Sequence, residues 1–380
     1  MTIVPSHLYY IEGVKKGRSP SILKSLIVKS SFFNYKNIPY IHDVKHLSHL
    51  LGCSQIDLTS IIKRNYSGYR FYTVPKYSGG VRFINSPNDF LKKIQRWINF
   101  NILSKVEVHP SCYSFHKNSS IKNCAEKHCG AKWLVKIDIE NFFEMVSEVE
   151  VYKQFRKLGY KPIVSFALSR ICTYEPTHLV NFQHKWINYN SRTDSLPFSR
   201  RNVNFFGRLP QGAPTSPMLS NLVLSSLDEK VTRLIRNKNG IYTRYADDIF
   251  ISFSEMAVDR KFLRQIIGKL ISYLNSFGYQ ANKTKIKIIS PRSTKLVLGL
   301  NVAEDKVFLQ KKYKNNLESH IYGMKKFGLV LHAKHRKFNS VLGMIDHING
   351  MVNYASYIEP MYGNKLKEKI KHIVNINGLG

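Results

Sequence analysis

Acidic residues are scarce in this chain: 25 Asp and Glu stand against 58 Lys and Arg, which gives the 380 residues a formal net charge of +33. Solubility requires far less charge than this, and a surface of one sign attracts polyanions. The composition therefore indicates a polyanionic partner and favours nucleic acid. A chain of this length can form several subdomains around one or two cores.

Cysteine is also scarce. The five cysteines are Cys53, Cys112, Cys124, Cys129 and Cys172. They are too few and too scattered to form a disulfide framework. Cys124, His128 and Cys129 lie close in sequence, but no fourth ligand follows at the spacing of a zinc ribbon or finger, and structural zinc requires four ligands. The sequence therefore predicts neither a disulfide scaffold nor a zinc site.

Long apolar runs are missing as well. No segment approaches the roughly 18 consecutive apolar residues of a spanning helix, and the N-terminus has no signal-peptide core. From this pattern we expect a soluble, cytoplasmic protein without a membrane partner.

Two adjacent acids occupy a short turn in the second half of the chain. The turn is Tyr245-Ala246-Asp247-Asp248, with Ile241 before it and the apolar run 249–253 after it, so the pattern predicts two strands joined by a tight hairpin. Adjacent carboxylates repel each other, and a divalent cation relieves the repulsion; ligands that are all oxygen favour Mg²⁺ or Mn²⁺. The turn is therefore a candidate metal site.

A second strand-like run, residues 131–143, contains Asp138 followed by two aromatic residues. Three carboxylates on neighbouring strands could hold two metal ions about 4 Å apart, which in-line phosphoryl transfer requires. Between the acids lies a loop with Pro210, Gln211 and Gly212, which leads into an apolar helix. The order of Asp138, the Pro-Gln-Gly loop and Tyr-Ala-Asp-Asp resembles the palm of reverse transcriptases.

This resemblance implies an α+β fold with right-hand polymerase architecture: fingers, palm, a helical thumb and a helical N-terminal extension. The expected bounds are 1–65 for the extension, 66–130 for the fingers, 131–308 for the palm and 309–380 for the thumb. Within the palm, 174–208 has no clear period and is interpreted as an insertion. The last segment has 12 Lys and Arg against 4 Asp and Glu, with tyrosines interleaved, a composition that suits a helical lobe along a duplex.

The local patterns predict particular elements within these domains. Helical periodicity is clearest in His42–Ile62, and a second amphipathic pattern predicts a helix over Asp89–Leu103. Residues 69–84 contain two runs that are rich in strand-forming residues, one on each side of a Ser-Gly-Gly turn. This pattern predicts a hairpin with Lys76 and Arg82 near its tip.

The resemblance also implies roles for the acids. Asp138 and Asp247 are expected to be the principal ligands of a two-metal site for Mg²⁺, with Mn²⁺ as the alternative. Asp248 would be the weaker partner, and the backbone carbonyl of Ile139 would add a ligand. These metals would activate the primer hydroxyl and stabilise the leaving pyrophosphate.

Six further residues are expected to bind the incoming deoxynucleoside triphosphate. Lys76 and Arg82 would hold its phosphates, since Lys supplies a point charge and Arg a fork of donors. Gln211 and Gly212 would contact the nucleotide or template. Phe143, five residues after Asp138, matches the position whose ring excludes a 2′-hydroxyl. Lys285 matches the lysine near the departing phosphate, and Asn282 matches its usual companion.

Length and context resemble the bacterial retron type of reverse transcriptase. Its Asn-Ala-x-x-His signature corresponds to Cys124, Ala125 and His128, with Cys in place of Asn, and its Val-Thr-Gly corresponds to Val297, Leu298 and Gly299, with Leu in place of Thr. These six residues are expected to contact RNA. The resemblance implies a structured noncoding RNA that primes from a guanosine 2′-hydroxyl and is copied into DNA that stays attached to it, in an antiphage system with a separate effector protein.

Other functions remain open from the sequence. One group consists of other bacterial reverse transcriptases, of the group II intron, diversity-generating or abortive-infection kind. The chain ends without the added domains expected of an intron maturase, and its Pro-Gln-Gly loop does not distinguish it from a diversity-generating enzyme. A different class is a nucleic-acid-binding scaffold without catalysis, but loss of activity usually removes an acid or the glycine loop, and both are present.

Overall fold

The computed structural model describes residues 6–75, 81–175, 207–255 and 258–377. These residues pack into two compact units that interleave along the chain. The first unit comprises Met1–Asn118, Ile139–Lys230 and Ser272–Ala281; the second comprises Ser119–Asp138, Val231–Ile271 and Asn282–Gly380. Neither unit coincides with one of the expected domains, so the domain bounds stay a prediction.

Fourteen helices and nine strands lie within the described residues. The helices are α1 Ser6–Lys15, α2 Pro20–Tyr35, α3 Val44–Leu51, α4 Gln55–Lys63, α5 Asp89–Asn101, α6 Ile121–Glu126, α7 Phe142–Met145, α8 Glu148–Lys157, α9 Pro162–Cys172, α10 Ser216–Arg236, α11 Arg260–Ser276, α12 Lys311–His335, α13 Val341–Ile358 and α14 Pro360–Ile376. The strands are β1 Tyr69–Pro75, β2 Val81–Pro87, β3 Trp133–Asp138, β4 Gly240–Tyr245, β5 Asp248–Phe253, β6 Lys287–Ile289, β7 Lys295–Val297, β8 Leu300–Val302 and β9 Val307–Leu309.

The periodic segment His42–Ile62 forms two helices rather than one. Gly52 adopts a left-handed φ of 63° and ends α3, and the Ser54 hydroxyl accepts a hydrogen bond from the N–H of Ile56 in the first turn of α4. Leu47 and Leu51 of α3 and Leu58, Ile61 and Ile62 of α4 are buried, whereas Ile56 in the first turn of α4 is exposed. The periodicity located most of the apolar face but gave no sign of the break. The helix predicted over Asp89–Leu103 is confirmed as α5, capped by Asn88.

Strands β1 and β2 form the antiparallel hairpin that the sequence predicts in the first unit. The tip of this hairpin, with Lys76, lies outside the described residues, as does most of the predicted insertion. The residues on either side of that stretch are described: Tyr174 and Arg208 form an antiparallel bridge.

The second unit is built on a four-stranded sheet in the order β4-β5-β3-β6, in which neighbouring strands are antiparallel. Its central strands are almost entirely apolar because their residues are buried: Leu134, Val135, Ile137, Ile249 and Ile251 are each fully shielded from solvent. This sheet positions the acidic residues, which lie at one end of its two central strands, where β3 ends and β5 begins.

The C-terminal part of the second unit consists of a small β7-β8-β9 sheet and the helices α12 to α14. This confirms the helical character predicted from about residue 309. Helix α12 is interrupted at Gly328, whose φ of 79° and ψ of 165° are not helical. Among the described residues, no helix combines the length and the apolar character needed to cross a bilayer.

Two buried histidines in these helices make the stability of the second unit depend on pH. Nδ1 of His320 lies 3.1 Å from Nε2 of His332, and both side chains are buried. Burial lowers the pKa of His320 to about 4, with further contributions from Arg336, His332 and His347, and burial likewise lowers the pKa of His332. Both rings are therefore neutral in the folded protein at neutral pH.

We expect acid to destabilise these helices. Below the unfolded pKa of about 6.5, the unfolded chain gains a proton that folded His320 does not accept, so stability falls as the pH is lowered from about 6.5 toward 4. The melting temperature measured across this range should fall less steeply for His320→Gln than for the unsubstituted protein. The exposed His335 provides the control, since His335→Gln should keep the original slope; equal slopes for all three proteins would contradict the prediction.

Candidate active site

The register of the central strands brings two of the predicted acids together. Asp138, the last residue of β3, is paired with Asp248, the first residue of β5. Directly opposed residues of an antiparallel pair project on the same face with Cβ atoms about 5 Å apart. Asp138 is 7% exposed. Asp138 and Asp248 therefore lie side by side on one face of the sheet.

The third acid, Asp247, lies in the two-residue turn between β4 and β5. The other turn residue, Ala246, has a φ of 55°. Two-residue hairpin turns need positive φ at their first position and usually place Gly, Asn or Asp there, because a Cβ is strained in this region. Because Ala246 disfavours this conformation, contacts from the surrounding structure have to stabilise the turn.

Arg244 is one of the residues that hold this turn. Its side chain is fully buried, and its Nη1 donates a hydrogen bond of 3.1 Å to the carbonyl of Ala246. The sequence alone did not lead us to predict a role for Arg244. The available signal was a charged residue within an apolar strand, directly before an acidic turn.

Lysine ammonium groups lie against two of the three carboxylates. Lys285 Nζ donates to both oxygens of Asp138, at 3.1 and 3.2 Å, and Lys136 Nζ lies 2.7 Å from Oδ1 of Asp248. The pKa of Asp247 is raised by burial and, in addition, by the charges of Asp248 and Asp138. Lys285 was predicted to lie near the departing phosphate, and in the structure it lies beside Asp138. A role for Lys136 was not predicted, although Lys136 lies two residues before Asp138 and therefore on the same face of β3.

The donor set fits a hard divalent cation. All three side chains offer carboxylate oxygens, which are the ligands that Mg²⁺ and Mn²⁺ prefer. Burial and then the charges of Asp248 and Asp138 raise the pKa of Asp247, and a bound cation would offset both effects. With the side chains in their present positions, the described residues contain no group of three or more His, Cys, Asp or Glu arranged to bind a metal ion. Asp138 and Asp248 are instead paired with lysines.

Ile139 was predicted to offer its carbonyl to the metal. It forms an antiparallel bridge with Ala281. The two flanking hydrogen bonds run from the N–H of Asn282 to the carbonyl of Asp138 and from the N–H of Glu140 to the carbonyl of Gln280, each 2.8 Å, and do not use the carbonyl of Ile139. Asn282 thus ties the segment of Lys285 to the end of β3.

The Pro-Gln-Gly loop belongs to the first unit, where it is fastened to β2. The carbonyl of Gln211 accepts a 2.8 Å hydrogen bond from the N–H of Asn85. Gly212 has a φ of 122°, and a Cβ there would come within 3.2 Å of Ile84 and 3.3 Å of the Asn85 carbonyl. Glycine is required by both conformation and space.

The other predicted nucleotide-binding residues of the first unit differ in exposure. Phe143 is half-buried while its neighbour Phe142 is buried, so only Phe143 presents part of its ring. Arg82 is exposed and pairs with Val74 near the end of the hairpin. Lys76 lies outside the described residues.

The predicted RNA contacts require a correction. The side chains of Cys124, Ala125, His128 and Val297 are 0% exposed, which is incompatible with direct contact to RNA. Hydrogen bonds of 2.7 Å join His128 to Thr243 and Ser252 of the acidic hairpin formed by β4 and β5, and Cys124 Sγ lies 3.3 Å from Thr243 Oγ1. The sequence next to His128 gave no sign of these distant partners.

Leu298 and Gly299 remain accessible. They form the turn between β7 and β8 with φ of 50° and 84°; Leu298 is half-buried and Gly299 is exposed. Positive φ at both positions is the geometry of a tight hairpin turn. A contact with RNA at this turn stays a prediction.

Comparison with known proteins identifies the family. The family model described as reverse transcriptase (RNA-dependent DNA polymerase) matches residues 74–302. The retron Ec86 reverse transcriptase of Escherichia coli is 30% identical over 358 residues, covering 89% of this chain and 97% of that protein. The retron Ec73 reverse transcriptase of Escherichia coli is 30% identical over 317 residues, covering 80% and 89%.

Among solved structures, telomerase from Candida albicans aligns with 80% of this chain and 63% of that chain, at 13% identity and a TM-score of 0.41. A score this low carries no weight for the fold. The family match and the retron relatives carry the assignment. The chain therefore belongs to the reverse transcriptase family, as an RNA-directed DNA polymerase of the retron type with an α+β, right-hand polymerase fold.

Proposed function

We propose that Asp138, Asp247 and Asp248 form the catalytic centre of this polymerase and bind two Mg²⁺ ions. The observation that carries the proposal is the register of Asp138 opposite Asp248, with Asp247 in the adjoining turn. Enzymes of this family generally use divalent metals. Bound there, such metals lower the pKa of the primer hydroxyl and offset the charge of the leaving pyrophosphate.

The residues around the acids then have distinct tasks. Arg244 and the paired strands hold the turn, so that the carboxylates need not reorganise during the reaction. Lys285, which donates to Asp138 and keeps its side chain 55% exposed, is able to exchange the carboxylate for a phosphate oxygen of the substrate. Lys136 keeps the charge of Asp248 offset.

The proposed nucleotide-binding residues are Lys76, Arg82, Phe143, Gln211, Gly212 and Lys285. The half-buried ring of Phe143 supports its role as the residue that excludes a 2′-hydroxyl. In domain terms, residues 66–130 act as fingers, 131–308 as palm and 309–380 as thumb, after a helical extension over 1–65.

Discrimination between nucleotides tests the role of Phe143. We expect Phe143→Val to raise ribonucleotide incorporation relative to deoxynucleotide by about 10- to 100-fold, because a smaller side chain leaves room for the 2′-hydroxyl. The readout is the ratio of kcat/KM for dCTP and CTP. Phe142→Leu, at the buried neighbouring ring, is the matched control and should leave the ratio unchanged; an unchanged ratio in active Phe143→Val would assign Phe143 to packing.

The retron relatives support a more specific reaction. We propose that the enzyme binds a structured noncoding RNA encoded beside its gene and copies part of it in the cytoplasm into single-stranded DNA that stays joined to the RNA. The +33 net charge suits such a partner. An effector protein encoded nearby, restrained by this product in antiphage defence, completes the proposed system.

Co-expression of the enzyme with the neighbouring noncoding RNA tests this reaction. Cells should accumulate a short DNA linked to RNA, which RNase reduces to a discrete single-stranded DNA, and Asp247→Asn should abolish it. If the purified protein extends generic primers but no RNA-linked DNA forms, the polymerase assignment stands and the retron product does not. A reverse transcriptase of another bacterial class would then account for the chain better.

A further inference from the structure

The buried ring of His128 connects both strands of the acidic hairpin. His128 lies two residues after α6, and its side chain is 0% exposed. Nε2 lies 2.7 Å from Oγ1 of Thr243 on β4, and Nδ1 lies 2.7 Å from Oγ of Ser252 on β5. One side chain, 115 and 124 residues away in sequence, thus bridges the two strands.

The two hydroxyls lie on the face of the sheet that carries the acids. Thr243 is paired with Phe250, Tyr245 with Asp248, and Ser252 with Leu134 of β3, which is four residues before Asp138. Since alternate residues of a strand share a face, Thr243, Ser252, Asp248 and Asp138 project on the same side. His128 therefore packs against the same surface from which Asp138 and Asp248 project.

The hydrogen bonds of this cluster form a consistent chain. Burial lowers the pKa of His128 to about 3, so the ring is neutral and has one N–H donor and one acceptor nitrogen. The Cys124 thiol donates to Thr243 Oγ1 across 3.3 Å. In the tautomer with the proton on Nδ1, the Thr243 hydroxyl donates to Nε2 of His128. Nδ1–H then donates to Ser252, and every polar atom of the bridge has a partner.

We infer that His128 is a positioning residue for catalysis, which sets the register and spacing of β4 and β5 and thereby the positions of Asp247 and Asp248. The turn between them is strained at Ala246 and cannot fix this geometry by itself. A buried hydroxyl without a partner is unfavourable, because nothing compensates the loss of its hydrogen bonds to water. Displacement of either strand would break one bond to His128, so the bridge favours a single arrangement of the hairpin.

This inference gives the histidine of the Asn-Ala-x-x-His pattern an internal role. It also explains why cysteine is compatible with the asparagine position, because Cys124 faces Thr243 of the hairpin. The inference rests on the proposed catalytic roles of Asp247 and Asp248, and the test separates the two.

Removing single hydroxyls tests the bridge without emptying the core. Thr243→Val keeps the shape of the side chain, Ser252→Ala deletes one atom, and Thr243→Ser retains the hydroxyl. We expect kcat for primer extension to fall about 10- to 100-fold in the first two variants, since small misplacements of reacting groups have effects of this size. KM for dNTP, affinity for RNA and the salt dependence of that affinity should stay unchanged, and Thr243→Ser should restore kcat.

The matched control is Tyr160→Phe, which removes another buried hydrogen bond, 2.8 Å long, to the carbonyl of Pro39. It should lower the melting temperature without lowering kcat at a temperature well below the transition. If Thr243→Val and Ser252→Ala behave like this control, His128 serves only packing and the inference is wrong. If they weaken RNA binding while kcat stays unchanged, the bridge supports the RNA-binding surface and not the acidic turn, and the inference is wrong. Asp247→Asn, assayed in parallel, must be inactive; activity there would overturn the proposed site instead.

Discussion

Asp247→Asn should reduce DNA synthesis by about 1,000-fold or more while RNA affinity stays nearly unchanged. The substitution keeps the size of the side chain but removes one of the three charges that would hold divalent cations, and preorganised charge is among the largest contributions to catalysis. RNA affinity is carried by basic contacts to phosphates, which Asp247 does not make. Primer extension with Mg²⁺ and dNTPs measures the first quantity, and a filter-binding titration measures the second.

The stability of the same variant provides an internal check. Burial and the neighbouring carboxylates raise the pKa of Asp247 in the folded protein, so at pH values above its unfolded pKa this group lowers stability, and Asp247→Asn should raise the melting temperature. An inactive variant that is more stable cannot owe its inactivity to misfolding. Asp305→Asn, which removes an exposed charge in the same unit, is the control and should keep full activity. Extension by Asp247→Asn at a rate near that of the unsubstituted protein would refute the catalytic assignment.

Glu148→Gln should destabilise the first unit by about 3–5 kcal/mol, the largest stability effect we expect in this protein. Glu148 is fully buried and forms ion pairs with Arg64 and Arg170; the pair with Arg170 is 3.3 Å long. Burial alone would raise the pKa of Glu148, but the two guanidinium groups lower it below its ordinary value. Removing the carboxylate charge leaves two buried cations without an anion, and breaking such a pair costs this much.

Glu148 also connects the residues that flank 176–206. Thr173 donates from Oγ1 to Glu148 Oε2 across 2.7 Å, and the N–H of Gly207 donates to the same oxygen across 3.0 Å. Urea denaturation should therefore show a lower midpoint for Glu148→Gln. Glu12→Gln is the matched control, because Glu12 forms an exposed pair with Lys15 and its loss should change stability by less than about 0.5 kcal/mol. Equal midpoints for the two variants would show that the buried network around Glu148 contributes nothing to the stability of the protein.

Much of the candidate site could be predicted from local sequence. Asp138 ends a run of apolar residues, and Asp247 and Asp248 sit between two such runs; alternation and turn chemistry are short-range properties that the sequence displays directly. The same holds for α5 and for the β1–β2 hairpin. The two-helix break at Gly52 was missed because the apolar period continues across it, while a single left-handed residue redirects the chain.

The sequence by itself determined the chemical groups of this protein: the three acids, the glycine of the Pro-Gln-Gly loop, the excess of positive charge and the strands and helices that carry them. The tertiary structure alone decided which groups meet. The pairing of Asp138 with Asp248, the lysines beside the acids, and the bridge from His128 to Thr243 and Ser252 join residues more than a hundred positions apart. Hydrogen bonds and burial between such distant residues leave no period in the sequence, because they depend on how strands pair and not on what precedes or follows each residue.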